Sequence, residues 1–200
     1  MFDAVDVHTT WSVLRGRPNR SAASVGGHKD DLAARLPFPL RGLDSDHGGE
    51  FINHQLVRYC ADRTPPVTFT RARPYRKNDQ AHVEQKNFAN VRLWLGYERY
   101  DHPDLWPPIN TLCRGALHQL LNYFLPTMKL AKKERVGSKT VRTYGPTQTP
   151  LERVLAGAEV SAATQAQLRA EKAALNPLAL RREVDRQLQA IEALRRTPRA

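Results

Sequence analysis

This chain of 200 residues holds only two cysteines, Cys60 and Cys113. That is too few for a disulfide scaffold or a zinc site built from clustered thiolates. Lone cysteines of this kind behave as small hydrophobes and fit a reducing compartment. No apolar run approaches the ~18 residues of a membrane-spanning helix. The amino terminus, Met1-Phe2-Asp3-Ala4-Val5-Asp6, has neither the basic nor the apolar region of a secretory signal. No internal repeat is visible. Acid is also in short supply: 20 Asp and Glu face 31 Lys and Arg, a net charge of +11. A surplus of that size points to a polyanionic partner and says nothing about fold. With 40% hydrophobic residues, the chain can bury a core of about one domain, with or without an appendage.

The first hundred residues alternate short apolar runs with helical stretches. Residues 2–7 and 11–14 read as two strands around a tight turn at His8-Thr9-Thr10. A helix is expected over 21–36, weakened by Gly26-Gly27 and stopped by Pro37-Phe38-Pro39. A strand at 40–43 leads to Asp44-Ser45-Asp46-His47-Gly48-Gly49. Phe51, Ile52, Leu56, Tyr59 and Cys60 form a helical stripe over 50–63, and 67–70 is a strand by composition. A basic loop follows over 71–77, and a helix over 80–97. The pattern is that of an α/β domain over 1–100.

Beyond residue 100 the composition changes. Residues 101–200 read as a helical, basic extension, with helices over 109–125, 161–175 and from Asn176-Pro177 onward. The last carries a stripe of Leu180, Val184, Leu188, Ile191 and Leu194, which predicts packing within the chain or between copies. Between Thr127 and Tyr144 stand Lys129, Lys132, Lys133, Arg135, Lys139 and Arg142 with one acid, Glu134. This stretch has little apolar periodicity and is expected to be an extended arm or loop that binds phosphate backbone.

Two carboxylates stand out. Asp46 follows a short strand and precedes Gly48-Gly49, and Glu84 opens the long helix just after the basic loop. The intervening helix and strand can bring both onto one face of a sheet. Two hard oxygen ligands beside a phosphate-binding loop suit Mg²⁺ or Mn²⁺. On spacing alone the bland reading prevails: Asp46 as a turn residue, Glu84 as a solvated first-turn acid.

The local words shift that balance. Ser45-Asp46-His47-Gly48-Gly49-Glu50-Phe51-Ile52-Asn53, and then Arg73-Pro74-Tyr75-Arg76-Lys77-Asn78-Asp79-Gln80-Ala81-His82-Val83-Glu84-Gln85-Lys86-Asn87, resemble the integrase core of bacterial DDE transposases. In that retroviral-integrase-like family the second metal-binding Asp and the Glu lie in such stretches, a correspondence that carries onto Asp46 and Glu84. The resemblance covers roughly residues 2–100, and the remainder looks like the carboxy-terminal extension of bacterial members. It implies an RNase H-like fold, a five-stranded mixed sheet flanked by helices. It also implies DNA integration or transposition, Mg²⁺ (or Mn²⁺) as cofactor, transposon-end and target DNA as partners, and a cytoplasmic, nucleoid-associated setting. Arg71, Arg73, Arg76, Lys77 and Lys86, with Lys129, Lys132, Lys133 and Arg135, are the expected DNA contacts.

Two departures matter. His47 and Gly49 stand where the family favours Asn and Ser. More seriously, the family's first catalytic Asp sits on a central strand that hairpins into the strand matching residues 2–7, so its counterpart is expected upstream of Met1. Asp6 falls on the second strand of that hairpin, a position without a catalytic role in the family. Residues 1–200 alone are therefore expected to be inactive as a transferase, lacking the carboxylate that bridges both ions. Two other classes compete. A non-catalytic DNA-binding remnant or regulator would keep the basic surface without the chemistry. A carboxylate-pair glycosidase is disfavoured, because a basic rim suits a polyanion better than a sugar. His54 and Cys60, six apart on one helix, do not share a face and read as structural. His82 reads as solvated or as an aid to substrate positioning.

Overall fold

The computed structural model describes residues 1–16, 33–45, 57–71 and 88–197. Within them the chain is a mixed α/β structure. Strands β1 (Phe2–Val5) and β2 (Ser12–Arg15) form an antiparallel hairpin, with Phe2 opposite Arg15 and Val5 opposite Ser12. Strands β3 (Gly42–Ser45) and β4 (Thr68–Arg71) form a parallel pair, and β5 (Leu130–Val136) and β6 (Lys139–Tyr144) a second antiparallel hairpin. The α-helices described over their whole length are α1 (Leu93–Leu95), α2 (Trp106–Arg114), α3 (Ala116–Gln119), α4 (Pro150–Ala156), α5 (Ala162–Ala174) and α6 (Pro177–Arg196). Wide helical turns at Phe88–Arg92 and Leu120–Phe124 extend α1 backward and α3 forward.

The first turn is built by Asp6. Its carboxylate accepts from both the backbone N–H and the hydroxyl of Thr9, at 2.6 Å each. The Thr10 N–H reaches the Asp6 carbonyl at 2.8 Å. Thr10 takes a left-handed φ of 64°, a conformation unfavourable for a β-branched residue. It is held there by the Arg153 guanidinium, which donates to Thr10 Oγ1 at 2.9 Å.

Strand β2 is buried throughout, and its alternating side chains feed two separate cores. Leu14 enters a cluster with Val91, Leu95, Ile109, Leu112, Leu117 and Val184. Trp11 and Val13 enter another with Tyr123, Leu151, Val154, Val160 and Leu168. The α6 stripe packs inside the first cluster: Leu180, Val184 and Ile191 are buried, with Leu188 and Leu194 against them. Both clusters thus join residues from either side of position 100.

The edge of β2 away from β1 is closed by side chains. Asn122 Oδ1 accepts from the Ser12 N–H at 2.8 Å, and Asn122 Nδ2 donates to the Ser12 carbonyl at 2.9 Å. At the other end Asn110 does the same for Gly16, at 3.0 and 3.1 Å. Between them the Arg15 guanidinium donates to the Leu14 carbonyl. Asn90 Nδ2 adds a bond to Ser12 Oγ at 2.9 Å. Gly16 is required by the approach of α2: a Cβ there would stand 2.8 Å from Ile109 Cγ2 and 3.0 Å from Trp106 Cε3.

Several expectations shift. The strand expected over 40–43 lies at Gly42–Ser45, where it runs beside Thr68–Arg71, and the Arg41 carbonyl before it accepts from the Thr68 N–H at 2.9 Å. The helix expected over 109–125 starts earlier, at Trp106, with prolines in its first turn, and breaks at Gly115. Helix α4 was not expected; Thr149 and Glu152 form a reciprocal capping box that starts it. The arm over 127–144 is a β-hairpin, since Gly137 (φ 61°) sits at the first central position of a two-residue turn, the geometry of type II′. The helix expected over 21–36 lies almost wholly outside the described residues, as do the first half of the one over 50–63, which is helical over 57–61, and the first half of the one over 80–97.

Cys60 and Cys113 are buried, and burial pushes the Cys113 thiol up to about 12. Among the described residues no helix is long and apolar enough to cross a membrane.

Two predictions follow from the β2 edge. Asn122→Ala leaves a buried N–H and a buried carbonyl of Ser12 without partners, at about 1–3 kcal/mol each. Urea denaturation should show a loss of about 2–6 kcal/mol; a loss below about 1 kcal/mol would mean that the amide does not hold the edge. His118 supplies the second. Its Nδ1 faces the Asn122 amide nitrogen at 3.1 Å, and its ring meets Trp11 edge-on at 5.5 Å. Asn122 Nδ2 also donates to the Ser12 and His118 carbonyls, at 2.9 and 3.0 Å, which engages both of its hydrogens. Burial, then the Arg35 and Arg15 charges, push the imidazole down to about 4 from an ordinary 6.5. The folded state therefore binds fewer protons than the unfolded state between these values, and stability falls as pH drops from about 6.5 toward 4. The slope is at most about 1.4 kcal/mol per pH unit. Unfolding midpoints at pH 7 and 5 should differ in the native chain and differ less in His118→Gln.

Candidate nucleic-acid interface

The parallel pair sets the geometry of the first basic region. Side by side in the register are Gly42 with Thr68, Leu43 with Phe69, Asp44 with Thr70, and Ser45 with Arg71. Both strands therefore end at the same edge of the sheet. In the sequence, Asp46 is the next residue after β3, and the stretch with Arg73, Arg76 and Lys77 follows β4. In parallel sheets the carboxyl edge is where ligands collect, because strands end there and loops diverge. Asp46, Glu84, Arg73, Arg76, Lys77 and Lys86 themselves lie outside the described residues, and Arg71 is placed by its backbone alone. Inside the pair, the Thr70 hydroxyl donates to Asp44 Oδ1 at 2.8 Å. Among the described residues no three His, Cys, Asp or Glu side chains cluster as a metal site.

The second basic region is fully described. Lys129 donates through Nζ to the His8 carbonyl at 2.7 Å, which ties the start of the ribbon to the first turn. Lys132 is paired with Glu134 at 2.7 Å. Lys133 and Arg135 are exposed on β5, and Lys139 and Arg142 on β6. A register irregularity between Leu130 and Lys132 is a bulge at Ala131, which raises local twist.

The ribbon's base is anchored by one residue that sequence reasoning did not single out. Arg153 on α4 is only 8% exposed. Its guanidinium donates to the hydroxyls of Thr10 and Thr127 at 2.9 Å each, and to the Thr127 carbonyl. Thr127 pairs with Gln148 across the ribbon's root, at 2.8 and 3.2 Å. A cleft of about 270 Å³ beside this root is lined by His8, Lys129, Gln148 and Arg153, among others. The sequence signal that could have located Arg153 was the Thr149-Pro150-Leu151-Glu152 start of its helix.

The ribbon stands outside both apolar clusters, so its stability is local. Gly137→Val places a β-branched residue at φ 61° and should cost about 1–3 kcal/mol of ribbon stability. Amide exchange across β5 and β6 should accelerate while the global unfolding midpoint stays in place. An unchanged exchange profile would show that the turn does not define the ribbon.

No protein-family model matches the chain, and no solved structure matches it. It is similar to a curated protein of Sinorhizobium fredii (strain NBRC 101917 / NGR234), "Uncharacterized protein y4rM", with 36% identity over 152 residues. The similarity covers 74% of this chain and 41% of the relative, so the chain spans about two-fifths of that protein's length.

Proposed function

We propose that this chain is part of a DNA-acting transposase of the integrase-core type, with an RNase H-like sheet, and that Asp46 and Glu84 are two of its metal-binding carboxylates. The observation that carries this reading is the register of β3 and β4. It sets the residue before Asp46 beside the first residue of the basic loop, at one carboxyl edge. An acidic pair at that edge, bordered by Arg71, Arg73, Arg76 and Lys77, suits a phosphodiester and two hard cations. The hairpin supports it as well. Strand β2 has its outer edge closed by Asn122 and Asn110, so the sheet can grow only past β1, the side on which the resembled fold has its central strand.

Asp46 and Glu84 would hold Mg²⁺ or Mn²⁺ through carboxylate oxygens, and such ions activate a nucleophile and absorb charge on the phosphate. Arg71, Arg73, Arg76, Lys77 and Lys86 hold the DNA backbone at the site, and Lys133 and Arg135 extend the contact along the ribbon, where Lys132 is paired with Glu134 and Lys129 with the His8 carbonyl. Asp6 has no part in this chemistry, since both of its hydrogen bonds to Thr9 build the turn. A non-catalytic DNA-binding role for residues 1–200 alone is the second reading, favoured by that same commitment of Asp6.

Mn²⁺ titration followed by electron paramagnetic resonance tests the assignment. Asp46→Asn and Glu84→Gln should each weaken Mn²⁺ binding at least about tenfold, while Asp6→Asn should leave it unchanged. Equal binding by all variants would remove both carboxylates from the site. Strand transfer by residues 1–200 that is abolished by Asp6→Asn would instead move the role to Asp6.

A further inference from the structure

The ribbon β5–β6 has two unlike faces. Lys133 stands opposite Arg142, and Arg135 opposite Thr140. Pleat alternation places these four, with Tyr144, on one side. The other side carries Lys132 opposite Thr143, Glu134 opposite Val141, and Val136 opposite Lys139. Glu134, the one acid of the ribbon, sits on that second side and neutralises Lys132 at 2.7 Å. The first side has three cations, one tyrosine and no acid.

The direct opposition of Lys133 and Arg142 is unfavourable by itself. Directly opposed side chains in an antiparallel pair have Cβ atoms about 4.5–5.5 Å apart, and like charges there destabilise the ribbon. Among the described residues neither has an ion-pair partner, and both are exposed. Charges that only keep an exposed ribbon soluble and block edge pairing serve equally well on either face. Concentrating unopposed cations on one face is relieved by a polyanion laid against that face. A local conflict of this kind, without compensation inside the fold, marks a functional surface.

We propose that the face bearing Lys133, Arg135, Arg142 and Tyr144 is a docking surface for duplex DNA, on which the ribbon lies in the major groove with its three cations against phosphates. This rests on the DNA-acting reading above and adds the element, the face and the form of nucleic acid. The B-form major groove, about 12 Å wide, admits a two-stranded ribbon, whereas the A-form groove of duplex RNA is too deep and narrow to be entered. A seven-residue strand (Leu130–Val136) runs about 23 Å at roughly 3.3 Å per residue. The face also has a defined direction, because Arg153 and the Thr127–Gln148 bridge clamp its root to the first turn and to α4.

Fluorescence anisotropy of the whole chain with a short mixed-sequence DNA duplex, at several salt concentrations, tests this with two charge-matched pairs. Lys133→Gln/Arg142→Gln should weaken binding at least about tenfold and lower the salt slope by about two phosphates. Lys132→Gln/Lys139→Gln, which removes the same charge from the other face, should change affinity less than about threefold. Lys133→Arg/Arg142→Lys keeps both charges and should bind as the native chain, which separates loss of charge from loss of folding. Equal losses in the two glutamine pairs overturn the face assignment and leave the DNA-acting reading standing. A native chain that binds no DNA at any salt overturns both. Competition by duplex RNA or single-stranded DNA as strong as by duplex DNA overturns groove docking.

Discussion

The structure depends on a side-chain substitute for a missing strand. Asn122 bonds to both the N–H and the carbonyl of Ser12, and Asn110 repeats the arrangement at Gly16. Each amide mimics the donor and acceptor that a neighbouring strand would present. This matters because β2 is buried and an unpaired edge in the interior costs several kcal/mol. Closing the edge with helix-borne amides lets helices pack directly on the strand. Gly16, where no Cβ fits against Ile109, is the point of closest approach.

From that edge the rest of the core is organised by alternation. Leu14 goes to the α2, α3 and α6 side, while Trp11 and Val13 go to the α4 and α5 side. One four-residue strand therefore couples the amino-terminal hairpin to helices more than a hundred positions later. The composition change near residue 100 marks a change of element type, and the packing runs across it. Such long-range dependence also explains the strained Thr10. Its left-handed φ is held by Asp6 behind it and by Arg153 from α4, so the turn conformation is set by tertiary contacts as much as by its own residues.

What was legible in the sequence follows the range of the forces involved. The strands β1, β2 and β4, and the helices α5 and α6, announce themselves through periodicity and caps: Ser161 accepts from Thr164, and Asn176 from Leu178 and Ala179. The ribbon reads in the sequence only as an extended arm or loop because its strands are exposed on both faces and carry no apolar alternation. Turn chemistry at Gly137 was the signal available. The break at Gly115 and the double prolines at the start of α2 were local features overridden by the longer apolar pattern. The pairing of β3 with β4 sets Ser45 beside Arg71, a proximity that no local pattern announces. The asparagine network was invisible, since a lone Asn in a helix says nothing about which strand it will meet.

The placement of charge follows from the same division of labour. The buried clusters contain few ionisable groups, and Arg153 and Arg15, the buried guanidiniums, donate to hydroxyls and carbonyls near the hairpin. The α6 cations are mostly balanced within one turn: Arg181 by Asp185, Arg186 by Glu183, Arg195 and Arg196 by Glu192. On the ribbon, by contrast, Lys133 and Arg142 stand opposite each other on a face without an acid. An element that stands outside both cores can carry mutual repulsion without weakening them, because its local stability is uncoupled from the global unfolding equilibrium. A ribbon rooted by Arg153 but free along its length is thus a physically economical place to hold charge for a polyanion.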